Sequence, residues 1–170
     1  GPLPLDRIEP HADVVDLATG RNTRLTTSPG IETSPAFSPN GREIAFTSDR
    51  SGSPEVFIMD AEGLNPRRVS RTGDYNDSPA WSPRGDRLAY VSRIEGRFDV
   101  LVLDLAKGSV ARLTHGEGSN EEPHWAGDGR HLVFASNRSG SWQIHSMAAD
   151  GTDVRQLTRG ADCYTPDWSR

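Results

Sequence analysis

The sequence predicts an all-β protein, a β-propeller of four-stranded antiparallel blades, with about four blades per chain and one blade composite or incomplete. One proline slot recurs with spacings of 44, 44 and 43 residues, at Pro35, Pro79, Pro123 and Pro166. A second slot, Leu or Val before Thr or Ser, recurs every 44 residues at Leu25, Val69, Leu113 and Leu157. Between these slots apolar residues alternate with period two, as in "REIAFTS". A period of about 40 to 45 residues is typical of one propeller blade.

Each repeat contains four strand-like segments, named A to D in chain order. In the second complete repeat they are "PAWSP", "RLAYVS", "DVLVLDL" and "VARLT". Glycine lies between A and B and between C and D, where a tight turn needs a positive φ: Gly41, Gly85 and Gly129, then Gly63, Gly108 and Gly151. Because both faces of segment B are apolar or small, each repeat must pack against its neighbours.

The repeats divide the chain unevenly. Residues 1–11 are interpreted as an N-terminal segment that opens with a protease-cleavage scar, "GPLP", and residues 12–170 as the propeller. The propeller comprises a partial blade at 12–26 (segments C and D), blades at 34–70, 78–114 and 122–158, and a terminal strand A at 164–168. Either "LPLDRIEP" supplies the missing strand B and closes a ring, or open blade edges pair between copies and form a homo-oligomer.

Composition and motifs exclude several function classes. The net charge is −5 with a pI near 5.5, and the charges are interspersed, so neither nucleic acid nor an anionic membrane is an expected partner. The apolar runs are too short for membrane insertion. No G-x-S-x-G, H-E-x-x-H, P-loop or dinucleotide motif occurs, and the histidines lack metal-ligand spacing. The sequence therefore favours a protein that is not an enzyme.

Polar residues directly before each strand A form the candidate site. In a propeller, the loop from D to A meets the mouth of the central channel, so these side chains are expected to converge. The candidates are Glu32, Asn76, Asp77, Asn120, Glu121, Glu122 and Tyr164. Their oxygens predict a site for a basic group of a protein or peptide partner, or for Ca²⁺; no other cofactor is expected.

The turn between B and C carries a second pattern, "SDRSG" at 48–52 and "SNRSG" at 136–140. Asp49 and Asn137 are expected to bond their own turn backbone. Arg50, Arg93 and Arg138 are expected to bridge neighbouring blades. This pattern is therefore interpreted as structural.

The repeat "SPAFSPNGREIAFTSDRSGSPEVFIMDAEGLNPRRVS" and its copies resemble the TolB-type propeller repeat, whose Ser-Pro-Asp-Gly turn here reads "SPNG", "SPRG" and "AGDG". The resemblance implies a β-propeller that acts as a non-enzymatic scaffold for protein–protein interaction. It also implies a periplasmic, bacterial location and a peptidoglycan-associated lipoprotein as partner. Two alternatives remain open: an accessory propeller domain of a larger enzyme, such as a prolyl-oligopeptidase-like peptidase, or an excised repeat fragment that self-assembles.

Overall fold

The computed structural model describes residues 13–15, 19–24 and 32–164. Within these ranges the secondary structure is entirely strands and turns, as the alternating pattern predicts. The strands are β1 (Asp13–Val15), β2 (Asn22–Arg24), β3 (Glu32–Phe37), β4 (Glu43–Ser48), β5 (Glu55–Asp60), β6 (Arg67–Arg68), β7 (Asn76–Trp81), β8 (Arg87–Ile94), β9 (Arg97–Asp104), β10 (Val110–Arg112), β11 (Asn120–Trp125), β12 (His131–Ser136), β13 (Gln143–Ala148) and β14 (Arg155–Gln156). No helix in the described part of the chain is long and apolar enough to cross a membrane.

The strands form three four-stranded antiparallel sheets in chain order, which confirms the predicted blade. Blade 1 is β3–β6, blade 2 is β7–β10 and blade 3 is β11–β14; β1 and β2 pair separately. The N-terminal segment 1–11 and nearly all of the terminal strand 164–168 lie outside the described residues. Completion of the partial blade 12–26 therefore stays a prediction.

Strand A of each of the three described blades contains the same irregularity. Its pairing with strand B shifts register after two residues, so that two residues of strand A lie opposite one residue of strand B. Ser34, Ser78 and Glu122 lie at this bulge with φ values of 54°, 54° and 53°. A bulge redirects side chains relative to a regular strand. The innermost strands therefore present residues to the channel that simple alternation would place elsewhere.

The hydrophobic core lies between blades. Ala45, Val56 and Ile58 of blade 1 pack with Leu88 and Tyr90 of blade 2. A second cluster joins the opposite face of blade 2 to blade 3 through Ala89, Val91, Val100, Val102, Leu132, Phe134 and Met147. Each blade thus covers a face of its neighbour, as the two apolar faces of segment B predict.

The periodic tryptophans fix how the blades meet. The indole Nε1 of Trp81 donates to the carbonyl oxygen of Ala36 at 2.9 Å, and Trp125 repeats this bond to Ala80 at 2.9 Å. Each indole therefore packs between blades while its polar group bonds strand A of the preceding blade. Phe37, the counterpart in blade 1, has no such donor and is 52% exposed.

His145 is a buried histidine whose burial predicts a pH-dependent stability. Its ring stacks on Phe134 at 5.6 Å, and its Nδ1 lies 3.1 Å from the carbonyl oxygen of Gln143. Burial lowers the pKa of His145 below its usual value, the bond to Gln143 opposes the shift, and the charge of Arg138 reinforces it. Because the unfolded chain then binds a proton that the folded chain does not, stability falls as the pH decreases below about 6.5.

We expect His145→Phe, which installs the side chain found at the same position in blade 1, Phe57, to reduce this loss of stability on acidification. Urea unfolding at a series of pH values measures it. His115→Gln, at an exposed histidine, is the control and should leave the pH dependence of the wild type. If the free energy of unfolding of His145→Phe depended on pH as steeply as that of the wild type, His145 would not be the source of the pH dependence.

Candidate functional site

The channel mouth is a cavity of about 380 Å³ lined by the bulged strands of all three blades. Three equivalent tripeptides form it, residues 34–36, 78–80 and 122–124. The first two read Ser-Pro-Ala, whereas the third reads Glu-Pro-His. Blade 3 therefore gives the otherwise small and neutral lining a carboxylate, Glu122, and an imidazole, His124.

Four of the predicted site residues converge beside this cavity: Asp77, Glu121, Glu122 and Tyr164. Asp77 accepts hydrogen bonds at one oxygen, Oδ1, from the hydroxyls of Ser34 at 3.1 Å and Thr47 at 2.7 Å in blade 1. The backbone N–H of Ser78 also donates to this oxygen, at 2.7 Å. Asp77 therefore holds blade 1 against blade 2 and places a negative charge at the mouth.

Tyr164, at the C-terminal end of the described residues, contacts the acidic residues of the mouth. Its hydroxyl donates to Glu121, which also accepts a bond from the hydroxyl of Ser119 at 3.2 Å, and its ring meets Trp142 edge-on at 4.8 Å. Burial raises the pKa of Tyr164, and so do the hydrogen bond to Glu121 and the charges of Glu121, Glu122 and Asp77. The phenol therefore stays protonated as a donor, and three carboxylates act on one point of the mouth.

The other three predicted residues do not reach the mouth. Glu32, Asn76 and Asn120 occupy one slot, the first residue of strand A, and are 3%, 0% and 0% exposed. Successive residues of a strand point to opposite sides, so Asn76 faces away from the side that Asp77 faces. Their role as ligands for a partner or a cation stays an untested prediction, and the structure places them between strands.

The two asparagines among these buried residues join blades, each through a clasp with an acid at the start of strand C. Asn76 Nδ2 donates to Glu55 Oε2 of blade 1 at 3.0 Å, and Asn120 Nδ2 donates to Asp99 Oδ1 of blade 2 at 3.2 Å. In each clasp a hydroxyl after strand D, Ser70 or Thr114, also donates to the acid. The clasp acids were missed, although Glu55, Asp99 and Gln143 recur every 44 residues.

The arginines of the turn between B and C act within their own blades. Arg50 bonds Glu32 in blade 1, and Arg138 Nη2 bonds Asn120 Oδ1 in blade 3 at 2.9 Å. The charge of Arg138 also acts on Asp99 of blade 2, and that Arg50 bridges to the preceding blade stays a prediction, since most of that blade lies outside the described residues. Arg93, whose position in the turn differs, instead bonds Asp74 at 2.8 Å.

Blade 2 has Ile94 where the other blades have this arginine. The side-chain oxygen of Asn76, Oδ1, would accept a hydrogen bond from an arginine at this position. It is buried and has no hydrogen-bond partner. The hydroxyl of Tyr90, which replaces Phe46 and Phe134, is likewise buried without a partner, and burial followed by the charge of Glu55 raises its pKa to about 12. Loss of the arginine thus coincides with two unsatisfied polar atoms.

No group of three or more His, Cys, Asp or Glu side chains among the described residues is arranged to hold a metal ion. The Ca²⁺ alternative for the mouth accordingly stays a prediction that rests on the sequence. Calorimetric titration with Ca²⁺ tests it, and the absence of both heat and a change in melting temperature would count against it.

Comparison with known families matches the TolB beta propeller domain to residues 9–102 and again to residues 76–170. The Tol-Pal system protein TolB of Bordetella pertussis is 49% identical over 51 residues, which are 29% of this chain and 12% of that protein. The chain therefore spans a small part of the curated relatives it matches.

Solved structures give the same answer for the fold. A structure assigned to TolB from Agrobacterium tumefaciens superposes with a TM-score of 0.83 at 28% identity, covering 89% of this chain and 56% of that one. TolB from Acinetobacter baumannii gives 0.77 at 24% identity over 86% of this chain and 37% of that one, a likeness of fold alone.

Proposed function

Because the chain belongs to the TolB β-propeller family, we propose that it is a non-enzymatic scaffold for protein–protein interaction that receives a basic side chain of a protein or peptide at its channel mouth. The observation that carries the proposal is the convergence of Asp77, Glu121 and Glu122 beside a cavity of about 380 Å³. Fold alone does not imply function, so the argument rests on this site.

A basic side chain suits the mouth in size and charge. The cavity is open to solvent, so a side chain of a partner can enter it, and its lining prolines are rigid. Glu122 is half-buried at the bulge, and Asp77 has its hydrogen bonds concentrated on one oxygen. A guanidinium, with its planar set of donors, can bond carboxylate oxygens that these contacts leave available.

Glu122→Ser tests this chemistry directly. Serine occupies the same bulge in blades 1 and 2 with the same positive φ, so the variant removes the charge and keeps the backbone. We expect it to weaken binding of a fluorescent peptide of alternating arginine and glycine by about 1.4- to fivefold, since one partly exposed charge pair contributes about 0.2–1 kcal/mol. Fluorescence anisotropy measures the affinity.

Glu62→Ser, at an exposed glutamate in the turn between β5 and β6, is the matched control and should leave binding unchanged. A labelled peptide of alternating serine and glycine, which carries no side-chain charge, should bind neither protein. Equal losses in Glu62→Ser and Glu122→Ser would show that only the overall charge attracts the peptide, and the mouth would then not be the site.

The location and assembly partner are proposed from the relatives. The curated relatives are named as Tol-Pal system proteins, and a periplasmic location with a protein partner of that system follows for this chain as a proposal. Co-purification with a lipid-free peptidoglycan-associated lipoprotein, as implied by the repeat resemblance, tests the partner, and failure of the two proteins to associate would count against it.

We further infer that the chain forms a homo-oligomer through open blade edges. Among the described residues the partial blade contributes β1 and β2 as a two-stranded sheet, and a sheet edge that no strand of its own chain covers presents backbone groups that a second copy can pair. Light scattering over a range of concentrations is expected to give a mass above the 18.6 kDa of one chain. A constant monomer mass would mean that the blade is completed within the chain.

A further inference from the structure

A basic groove lies at the outer rim of the propeller, and its charge is opposite in sign to that of the acidic mouth. It has a volume of about 240 Å³ and lies between the end of blade 1 and the turn that follows β9 in blade 2. Its apolar side chains are Val69, Leu103 and Leu105, and its basic ones are Arg67, Arg68 and Arg71. We call this surface the rim groove.

The rim groove concentrates positive charge on a chain whose net charge is −5. No aspartate or glutamate of the described residues lines it. Arg67 bonds Glu43 at 3.1 Å, whereas Arg68 and Arg71 are exposed and have no ion pair among the described residues. Two guanidinium groups are therefore available to an anionic partner.

For Arg68, the repeat shows that this availability is specific to blade 1 among the three described blades. Arg112, the counterpart of Arg68 in blade 2, bonds the clasp acid Asp99 at 2.6 Å. In blade 1 the clasp acid, Glu55, is held by Ser70 and Asn76 instead. Arg68 is thus exposed to solvent, whereas its counterpart Arg112 bonds a buried acid of its own blade.

The backbone beside the groove favours an extended ligand. β6 is the outermost strand of blade 1 and pairs only with β5. One side of its backbone therefore has no neighbouring strand in the described structure, and an extended peptide can lie along such an edge through main-chain hydrogen bonds. Alternate side chains of that peptide would then face the same surface.

We propose that the rim groove binds an acidic, extended peptide segment of a protein partner. Its carboxylates pair with Arg68 and Arg71, and an apolar side chain lies between them against Leu103 and Leu105. The commitment to an acidic peptide follows from charge complementarity, because Arg68 and Arg71 have no ion pair among the described residues and no acidic residue of that part of the chain lines the groove. This surface is separate from the acidic mouth and selects the opposite charge.

Fluorescence anisotropy with a short labelled peptide of alternating valine and glutamate tests the proposal. We expect saturable binding that weakens with salt, and roughly tenfold weaker binding by the variant Arg68→Glu/Arg71→Glu, since two attractions become repulsions. Glu122→Ser should bind this peptide like the wild type. A valine–lysine peptide should not bind at the groove.

Arg130→Glu/Arg159→Glu makes the same change of charge at exposed arginines elsewhere and is the matched control. Melting temperatures confirm that both variants fold. Equal loss of binding in the two double variants, no binding by the wild type, or a valine–lysine peptide whose binding Arg68→Glu/Arg71→Glu weakens as much as that of the acidic peptide would each overturn the proposal. So would binding to anionic phospholipid vesicles that depends on Arg68 and Arg71 while the acidic peptide fails to bind.

Discussion

Asp99→Ala is expected to lower the free energy of unfolding by about 3–5 kcal/mol, because it removes a buried carboxylate to which several hydrogen-bond donors are bound, two of them buried themselves. Asp99 is 0% exposed. It accepts bonds from the Thr114 hydroxyl at 2.7 Å, the Arg112 guanidinium at 2.6 Å and the Asn120 amide at 3.2 Å. The backbone N–H of Gly116 donates to it as well, at 3.1 Å. Alanine would leave these donors without their acceptor at the junction of blades 2 and 3.

Urea unfolding of the wild type and of Asp99→Ala at neutral pH measures this loss of stability. Asp99→Glu, which installs the acid found in the blade 1 clasp, should lose much less stability, because a carboxylate remains. Arg67→Ala breaks an ion pair whose side chains are 54% and 34% exposed, and it should change stability by no more than about 1 kcal/mol. If Asp99→Ala is as mild as Arg67→Ala, the clasp does not hold the blades together.

The blade architecture could be predicted because its signals are local and repeated. A turn glycine, a proline slot and alternating apolar residues each have a short-range physical cause, and the period of 44 residues multiplies the evidence. The structure confirms four strands for each of the three complete repeats. Stacking of blades then follows from the two apolar faces of the inner strands.

The candidate site could be predicted only in part, because the position of a residue in the chain does not show to which side of the strand its side chain points. Asn76 and Asp77 are adjacent in sequence, yet one is buried between blades and the other bonds residues of blade 1 beside the mouth. Alternation along a strand separates them, and the bulge then brings Glu122 into the channel lining with a φ of 53°. The sequence gives no direct signal for that bulge.

The clasp shows a signal that was present and was not used. Glu55, Asp99 and Gln143 differ in type, so they do not read as one repeated motif, although they share one position in the period. Their common property is an acceptor oxygen for the hydroxyl after strand D: Ser70, Thr114 and Thr158. A search for repeated acceptor positions, rather than repeated residues, would have found them.

Phe134→Ala is expected to lower the free energy of unfolding by about 3–5 kcal/mol through the cavity that it leaves between blades 2 and 3. Phe134 is 0% exposed and belongs to the cluster that contains Ala89, Val91 and Met147. The guanidinium of Arg138 lies 5.4 Å from the centre of its ring, a contact that alanine cannot make. Tight packing on both sides leaves the site little freedom to collapse.

Phe37→Ala makes the same chemical change at a residue that is 52% exposed, and it should cost less than about 1 kcal/mol. Thermal and urea unfolding of the two variants side by side separate burial from the loss of a phenyl ring as such. Blade stacking requires the larger effect at position 134, because there the ring fills the space between two sheets. Similar losses at both positions would mean that the interblade core is loose, and the blades would then be held chiefly by the polar clasps.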